Sequence, residues 1–223
     1  MPIHPIVKLR KKYTILLDPE ALIERPEVAM WIAQCIANWS WVESSTGSLF
    51  VNLLGTNLPT GAALYNDMAS ALSKDRALRS VALSSLTQEE YTLLGALLKL
   101  RESHQRARDR LAHWYWGVCA ELDDGLVLVD PRYLIQYKAN VLHLNDKNQP
   151  KSTEFDVNKI YAVRVKDLKE DTKKFAEFAK LTFKFADLVA EKDQRKREQQ
   201  RRELSNDVRL RATRTPSASP VQS

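Results

Sequence analysis

The chain has 223 residues, 34 Lys+Arg against 28 Asp+Glu, and a formal net charge of +6. That length holds one domain with appendages, and an apolar content of 44% can bury a core without cross-links. Two cysteines, Cys35 and Cys119, exclude a disulfide framework and a thiolate zinc site, and the 6 glycines speak against a loop-rich all-β fold.

The charge has a location. Residues 191–214 carry nine Lys/Arg and five Asp/Glu, which is +4, and the rest of the chain is close to neutral. Residues 1–26 contain four prolines and read as an arm with one short strand, Tyr13–Leu17. Met1–Lys12 lacks the apolar run of a signal peptide. The uncharged run Ser44–Asn66 is too rich in Ser, Thr, Asn, Gly and Pro for a bilayer. The expectation is a cytoplasmic protein with no membrane contact.

A helix starts at Pro26. Val28, Ile32, Cys35, Trp39, Val42, Leu49 and Leu53 form its apolar face, and Gly55 and Pro59 end it. Shorter helices are predicted over Gly61–Ser73 and Asp75–Leu83. Thr87 and Glu90 make a capping box for a long helix over 87–113, with Leu93, Leu97, Leu100, His104, Ala107 and Leu111 on one stripe. Its later turns carry Arg101, Arg106, Arg108 and Arg110, which suits the negative end of the helix dipole.

The pattern then changes period. Trp114–Cys119 and Leu126–Val129 read as strands around an Asp123-Asp124-Gly125 turn. Further strands are predicted at Tyr133–Tyr137 and Lys159–Val165, with a polar loop at Asn145–Thr153. Asp167 and Glu170 cap a last helix whose apolar side is Leu168, Phe175, Phe178, Leu181, Phe185, Leu188 and Val189. From Glu191 to Arg202 that side vanishes, so the helix is expected to run on as a charged rod or to fray. Residues 206–223 are expected to be disordered. The fold class is mainly α: an antiparallel α-helical bundle over 27–190, with a small antiparallel β insert at about 114–165 before a long C-terminal helix.

The segment that carries chemistry is Arg106-Ala107-Arg108-Asp109-Arg110-Leu111-Ala112-His113. Asp109 and His113 are four apart, share a helix face and can hydrogen-bond, and a carboxylate beside an imidazole fixes its tautomer. Arg108 and His113 are separated by about 140° around an ideal helix. They are expected to meet only if the helix unwinds near Ala112 or two copies of it face each other.

Arg108-Asp109-Arg110-Leu111-Ala112-His113 resembles the Arg-polar-x-x-x-His signature of HEPN domains, helical bundles of prokaryotic toxin and defence systems. The resemblance covers about residues 27–116 and departs in one respect, Asp standing where Asn is commoner. It implies a homodimer in which Arg, polar residue and His from both protomers cleave RNA without metal, by attack of the ribose 2′-hydroxyl. Arg108 would clamp the phosphate, Asp109 would take the polar position and His113 would be the general acid or base. It also implies a cognate antitoxin or other partner protein. Arg101, His104, Arg106 and Arg110 are supporting candidates for RNA contact, and Glu43 is placed to enter the bundle and pair with an arginine of the motif.

Two other readings stand beside it. In the first, the chain is a non-catalytic helical dimerisation or interaction protein, and His113 packs under Trp114 and Trp116. In the second, residues 191–214 bind nucleic acid with no catalysis. His104 reads as a core histidine, and His143 as half-buried in strand-like sequence. No two His stand at metal-ligand spacing with a carboxylate and no Gly-rich phosphate loop is present, so neither metal nor cofactor is expected.

Overall fold

The structure, a computed structural model, describes residues 4–6, 14–147 and 155–213. It is mainly helical with a small antiparallel sheet before a long C-terminal helix. In chain order the elements are β1 (His4–Pro5), β2 (Ile15–Leu17), α1 (Ala21–Glu24), α2 (Pro26–Leu54), α3 (Leu58–Asp67), α4 (Ala71–Ser85), α5 (Gln88–His113), β3 (Tyr115–Cys119), β4 (Gly125–Val129), α6 (Pro131–Lys147), β5 (Ile160–Arg164), α7 (Val165–Ala190), α8 (Gln194–Asn206) and α9 (Val208–Thr213). The chain divides into two compact units. One contains Met1–Ala37 and Arg106–Lys174, the other Asn38–Gln105 and Phe175–Ser223. Helices α2, α5 and α7 contribute residues to both.

The first unit is built on a sheet of order β1-β5-β4-β3-β2, every pair antiparallel. The arm predicted at the N-terminus therefore supplies both edge strands. Ile15 pairs with Cys119 and His4 with Ala162. β4 lies between two neighbours and is buried throughout, which explains its unbroken Leu-Val-Leu-Val run. Gly125 at its start has no room for a side chain: a Cβ there would lie 2.4 Å from the Val163 carbonyl oxygen. Ile6, Cys119, Leu122, Val127, Val129, Leu134, Ile160 and Ala162 form the core cluster. In the same unit Cys35 Sγ contacts Thr172 Oγ1 at 3.1 Å, and burial pushes this thiol up to about 11, as befits an inert small core residue.

The predicted strand at Tyr133–Tyr137 is instead the opening of α6, which also contains His143. Its start signal is Asp130-Pro131. Asp130 Oδ1 accepts from the Arg132 N–H at 2.8 Å, and Pro131 stands first in the helix. Tyr133 and Tyr137, four apart, both meet Phe155 edge-on, at 5.1 and 4.9 Å between ring centroids. The loop expected at Asn145–Thr153 begins later, because α6 runs through Lys147, and 148–154 lie outside the described residues.

In the second unit, α2 ends at Gly55, whose φ of 65° is the left-handed conformation of a helix C-cap. Pro59 does not stop α2 but sits in the first turn of α3, behind the N-cap Asn57. The helix expected over 61–73 is two helices, because Ser70 and Ser73 cap each other's backbone and start α4 at Ala71. Thr87 and Glu90 form the predicted capping box of α5, with bonds of 3.3 and 2.9 Å. Trp39 meets Phe175 edge-on at 5.6 Å, within a core of Leu49, Leu78, Leu94, Leu97, Phe178 and Phe185. α7 begins at Val165, and Asp167 caps it from inside the first turn by accepting from the Arg164 N–H at 3.1 Å.

The C-terminal segment is neither a solvated rod nor disordered up to Thr213. α7 stops at Ala190, Asp193 caps α8, and Leu204 and Leu210 are buried. Arg197 makes two bonds to Glu90, at 2.8 and 2.9 Å, and Arg201 pairs with Glu89. Thr213 Oγ1 donates to the Ala96 carbonyl at 3.2 Å. The tail beyond Thr213 lies outside the described residues. Among the described residues no helix is long and apolar enough to cross a membrane.

Burial acts to raise the Glu90 carboxyl, but its bonds to Arg197 and Thr87 outweigh that and hold it below the usual 4.5. A carboxyl lowered on folding stabilises above its unfolded pKa, and that stabilisation is lost as pH falls through the folded value. Glu90→Gln should therefore cost about 1–3 kcal/mol in urea unfolding at pH 7. At about pH 3, below the unfolded value, the difference from wild type should shrink. An equal difference at both pH values would remove the ion pair as the cause.

Candidate functional site

The basic residues of α5 separate into two environments. Arg101 belongs to the second unit and is 1% exposed, the largest side chain fully buried. A guanidinium cannot be buried without counter-ions, and here two helices supply them. Glu43 of α2 accepts from Nη2 at 2.6 Å and Asp75 of α4 accepts from Nη1 at 2.9 Å. Glu43 also takes Lys74 Nζ at 3.3 Å, and Lys74 lies 4.4 Å from the centre of the Tyr65 ring. The Trp39 ring lies 5.8 Å from the guanidinium carbon. Burial pushes up the Tyr65 hydroxyl, reinforced by the Glu43 charge. Burial also raises the Asp75 carboxyl, although Arg101 opposes the shift.

Arg101 is thus a structural cation rather than a surface contact for RNA. Glu43 does enter the helical core and pair with an arginine of α5, but that arginine is Arg101 and not one of the motif. Lys74, the second partner of Glu43, and Asp75, the second partner of Arg101, were not read from the sequence. The signal was only an Asp and a Lys in a short helix whose start had been misplaced. His104 is half-buried, edge-on to Phe175 at 5.7 Å and Phe178 at 5.3 Å, as a core histidine would be.

The motif proper lies in the first unit, on the last turns of α5. Arg108 and Asp109 are half-exposed and His113 is exposed. Arg108 Nη1 lies 3.5 Å from His113 Nε2, the long limit of a hydrogen bond. The expectation that they could not meet within one helix is corrected. Five residues rise about 7.5 Å, and an arginine reaches across that gap to a ring standing at the helix end. Arginine only donates, so the contact is a hydrogen bond when Nε2 carries the lone pair and Nδ1 the proton.

The predicted Asp109–His113 bond does not form. Asp109 Oδ1 turns instead to Arg108 Nη1, at 3.1 Å. Nη1 therefore carries both contacts, while Arg108 Nε is buried without a hydrogen-bond partner. Nor does His113 pack beneath the tryptophans. Trp114 meets Tyr161 at 5.4 Å and carries the Arg110 guanidinium at 5.6 Å from its ring centre. Arg106 is exposed one turn before Arg110. Tyr115, two residues past His113, is 47% exposed and was not singled out by the motif.

Four of the nine cations of 191–214, Arg197, Arg201, Arg202 and Arg209, are held in ion pairs with Glu90, Glu89, Glu198, Asp207 and Glu177. Among the described residues no group of three or more His, Cys, Asp or Glu is arranged to hold a metal ion.

No family profile, curated protein or solved structure matches the chain.

Arg101→Ala takes the guanidinium from Asp75 and leaves Glu43 with Lys74 alone, and should destabilise the protein by about 3–5 kcal/mol in chemical unfolding. Ordinary stability in that variant would contradict the assignment.

Proposed function

We propose that the protein is a HEPN-like, dimeric, metal-independent endoribonuclease with Arg108 and His113 at its reacting centre. The observation that carries this reading is the exposed Arg108–His113 pair at 3.5 Å. RNA self-cleavage needs an acceptor for the 2′-hydroxyl proton, a donor for the departing 5′-oxygen and a cation for the phosphorane. Imidazole titrates near neutrality and serves as either acceptor or donor, and a guanidinium binds a phosphate through two parallel donors.

One protomer brings a single exposed histidine to this region. Two proton transfers on opposite sides of the phosphorus call for two, which is why the reading requires a second copy. One His113 takes the 2′-hydroxyl proton as the 2′-oxygen bonds to phosphorus. The other His113 gives a proton to the 5′-oxygen as its bond breaks. The products carry a 2′,3′-cyclic phosphate and a 5′-hydroxyl. Arg106 and Arg110 flank the pair and supply salt-sensitive contacts to the strand.

The non-catalytic reading draws on a different observation: Leu58, Leu64, Leu72 and Leu83 are at least half exposed on α3 and α4. Apolar side chains in that number suit a partner protein, in keeping with a cognate antitoxin.

The test is RNA cleavage in excess chelator with a mass measurement in solution. Wild type should cut as a dimer, and His113→Ala should lower the rate at least 100-fold, within the range of lost general acid–base catalysis, with unchanged unfolding. Equal cutting by the variant would end the nuclease reading and leave the interaction reading.

A further inference from the structure

We infer that Asp109 is a built-in competitor for the substrate phosphate, held on Arg108 until RNA displaces it. The inference rests on the nuclease reading above and adds a residue that sets substrate affinity. A carboxylate at the second motif position has two possible effects. It can hold the histidine by a hydrogen bond, or it can occupy the arginine. The geometry selects the second, because Asp109 Oδ1 lies 3.1 Å from Arg108 Nη1 and makes no bond to His113. Nη1 is also the nitrogen that meets His113, so one terminal nitrogen carries both neighbours.

The consequence is a question of like charges. A phosphodiester docking on Arg108 presents two non-bridging oxygens that share one negative charge to a guanidinium that already has one anion beside it. The carboxylate must leave Nη1 or the phosphate must bind through fewer donors. Both options weaken ground-state binding. The Arg108 and Asp109 side chains are 29% and 42% exposed, so the ion pair is worth little in water and RNA can displace it. An exposed pair of this kind changes binding by a factor of a few, which sets the size of the effect. The cluster also carries Arg106 and Arg110, whose charges Asp109 does not touch through any bond described. Asp109 therefore adjusts the clamp at one phosphate and leaves the general attraction of the helix end for the strand in place.

The test compares wild type, Asp109→Asn, Arg108→Ala and the double variant. Binding is read with a fully 2′-O-methylated oligonucleotide, which has no free 2′-hydroxyl and cannot be cut. Cleavage is read on the unmodified strand in chelator. Asp109→Asn should bind about two- to fivefold tighter, since it removes one exposed ion pair's competition. It should lower KM by the same factor. In the Arg108→Ala background the same substitution should give no gain. A merely structural role for Asp109 would weaken binding instead.

If wild type cuts RNA and Asp109→Asn binds equally or more weakly, the competitor is refuted and the nuclease reading stands. A gain that persists without Arg108 also refutes it, since the carboxylate would then act at long range. If nothing cuts but the gain appears and needs Arg108, the competitor stands and the catalytic reading falls. No cutting and no gain overturns both.

Discussion

A guanidinium at 1% exposure constrains the second unit more than any other single group. Removing such a charge from water is prohibitive unless carboxylates meet it in good geometry. Glu43 must therefore arrive from α2 and Asp75 from α4, at 2.6 and 2.9 Å. That requirement ties three helices by a bond with direction, which apolar packing alone does not supply. Glu43 is further held by Lys74, and Lys74 by the Tyr65 ring. Loss of Arg101 takes the guanidinium from both carboxylates at once, and loss of either carboxylate leaves the buried guanidinium with one partner.

The motif at the end of α5 follows the opposite logic. Arg108 and His113 are left accessible, and their neighbours satisfy them only in part. Arg108 Nε is buried without a partner, as Arg101 Nε also is, so what sets the motif apart is its exposure and the contact of Arg108 with His113 at the long limit. Structural ion pairs in this chain look different. Arg101 is fully enclosed, and Arg197 makes two short bonds to a Glu90 that is 1% exposed. Under-satisfied, accessible cation and imidazole side by side are the arrangement a transferable phosphate can use.

Much of the fold was legible because helix stripes repeat over many turns. The faces of α2, α5 and α7 emerged from Val28 to Leu53, Leu93 to Leu111 and Leu168 to Leu188, and the Thr87–Glu90 box marked the start of α5. The failures were local. Tyr133-Leu134-Ile135 has strong β propensity, and the Asp130-Pro131 cap overrode it. The strand at Ile15–Leu17 was legible, whereas residues 4–5 are too short to announce themselves, and only pairing with β5 makes them a strand. α8 and α9 show two buried leucines, Leu204 and Leu210, against a background of charge, so no apolar stripe betrayed their docking. In the motif, Arg108, Asp109 and His113 make contacts other than those the helical spacing suggested. Helical angles place Cα atoms, whereas long side chains decide contacts, and Asp109 turned to its sequence neighbour rather than across the turn. Glu43 meets Arg101 of α5 and Lys74 of α4 rather than an arginine of the motif, a choice that rests on where α4 lies and not on spacing along α2.

The central claim is that the Arg108–His113 pair promotes attack by the 2′-hydroxyl. The most direct measurement is the chemistry of RNA ends left by purified protein in excess chelator. The account predicts 2′,3′-cyclic phosphate and 5′-hydroxyl ends, and no cutting of a strand whose riboses are all 2′-O-methylated. Ends bearing 5′-phosphate and 3′-hydroxyl, or cutting of the methylated strand, would contradict it.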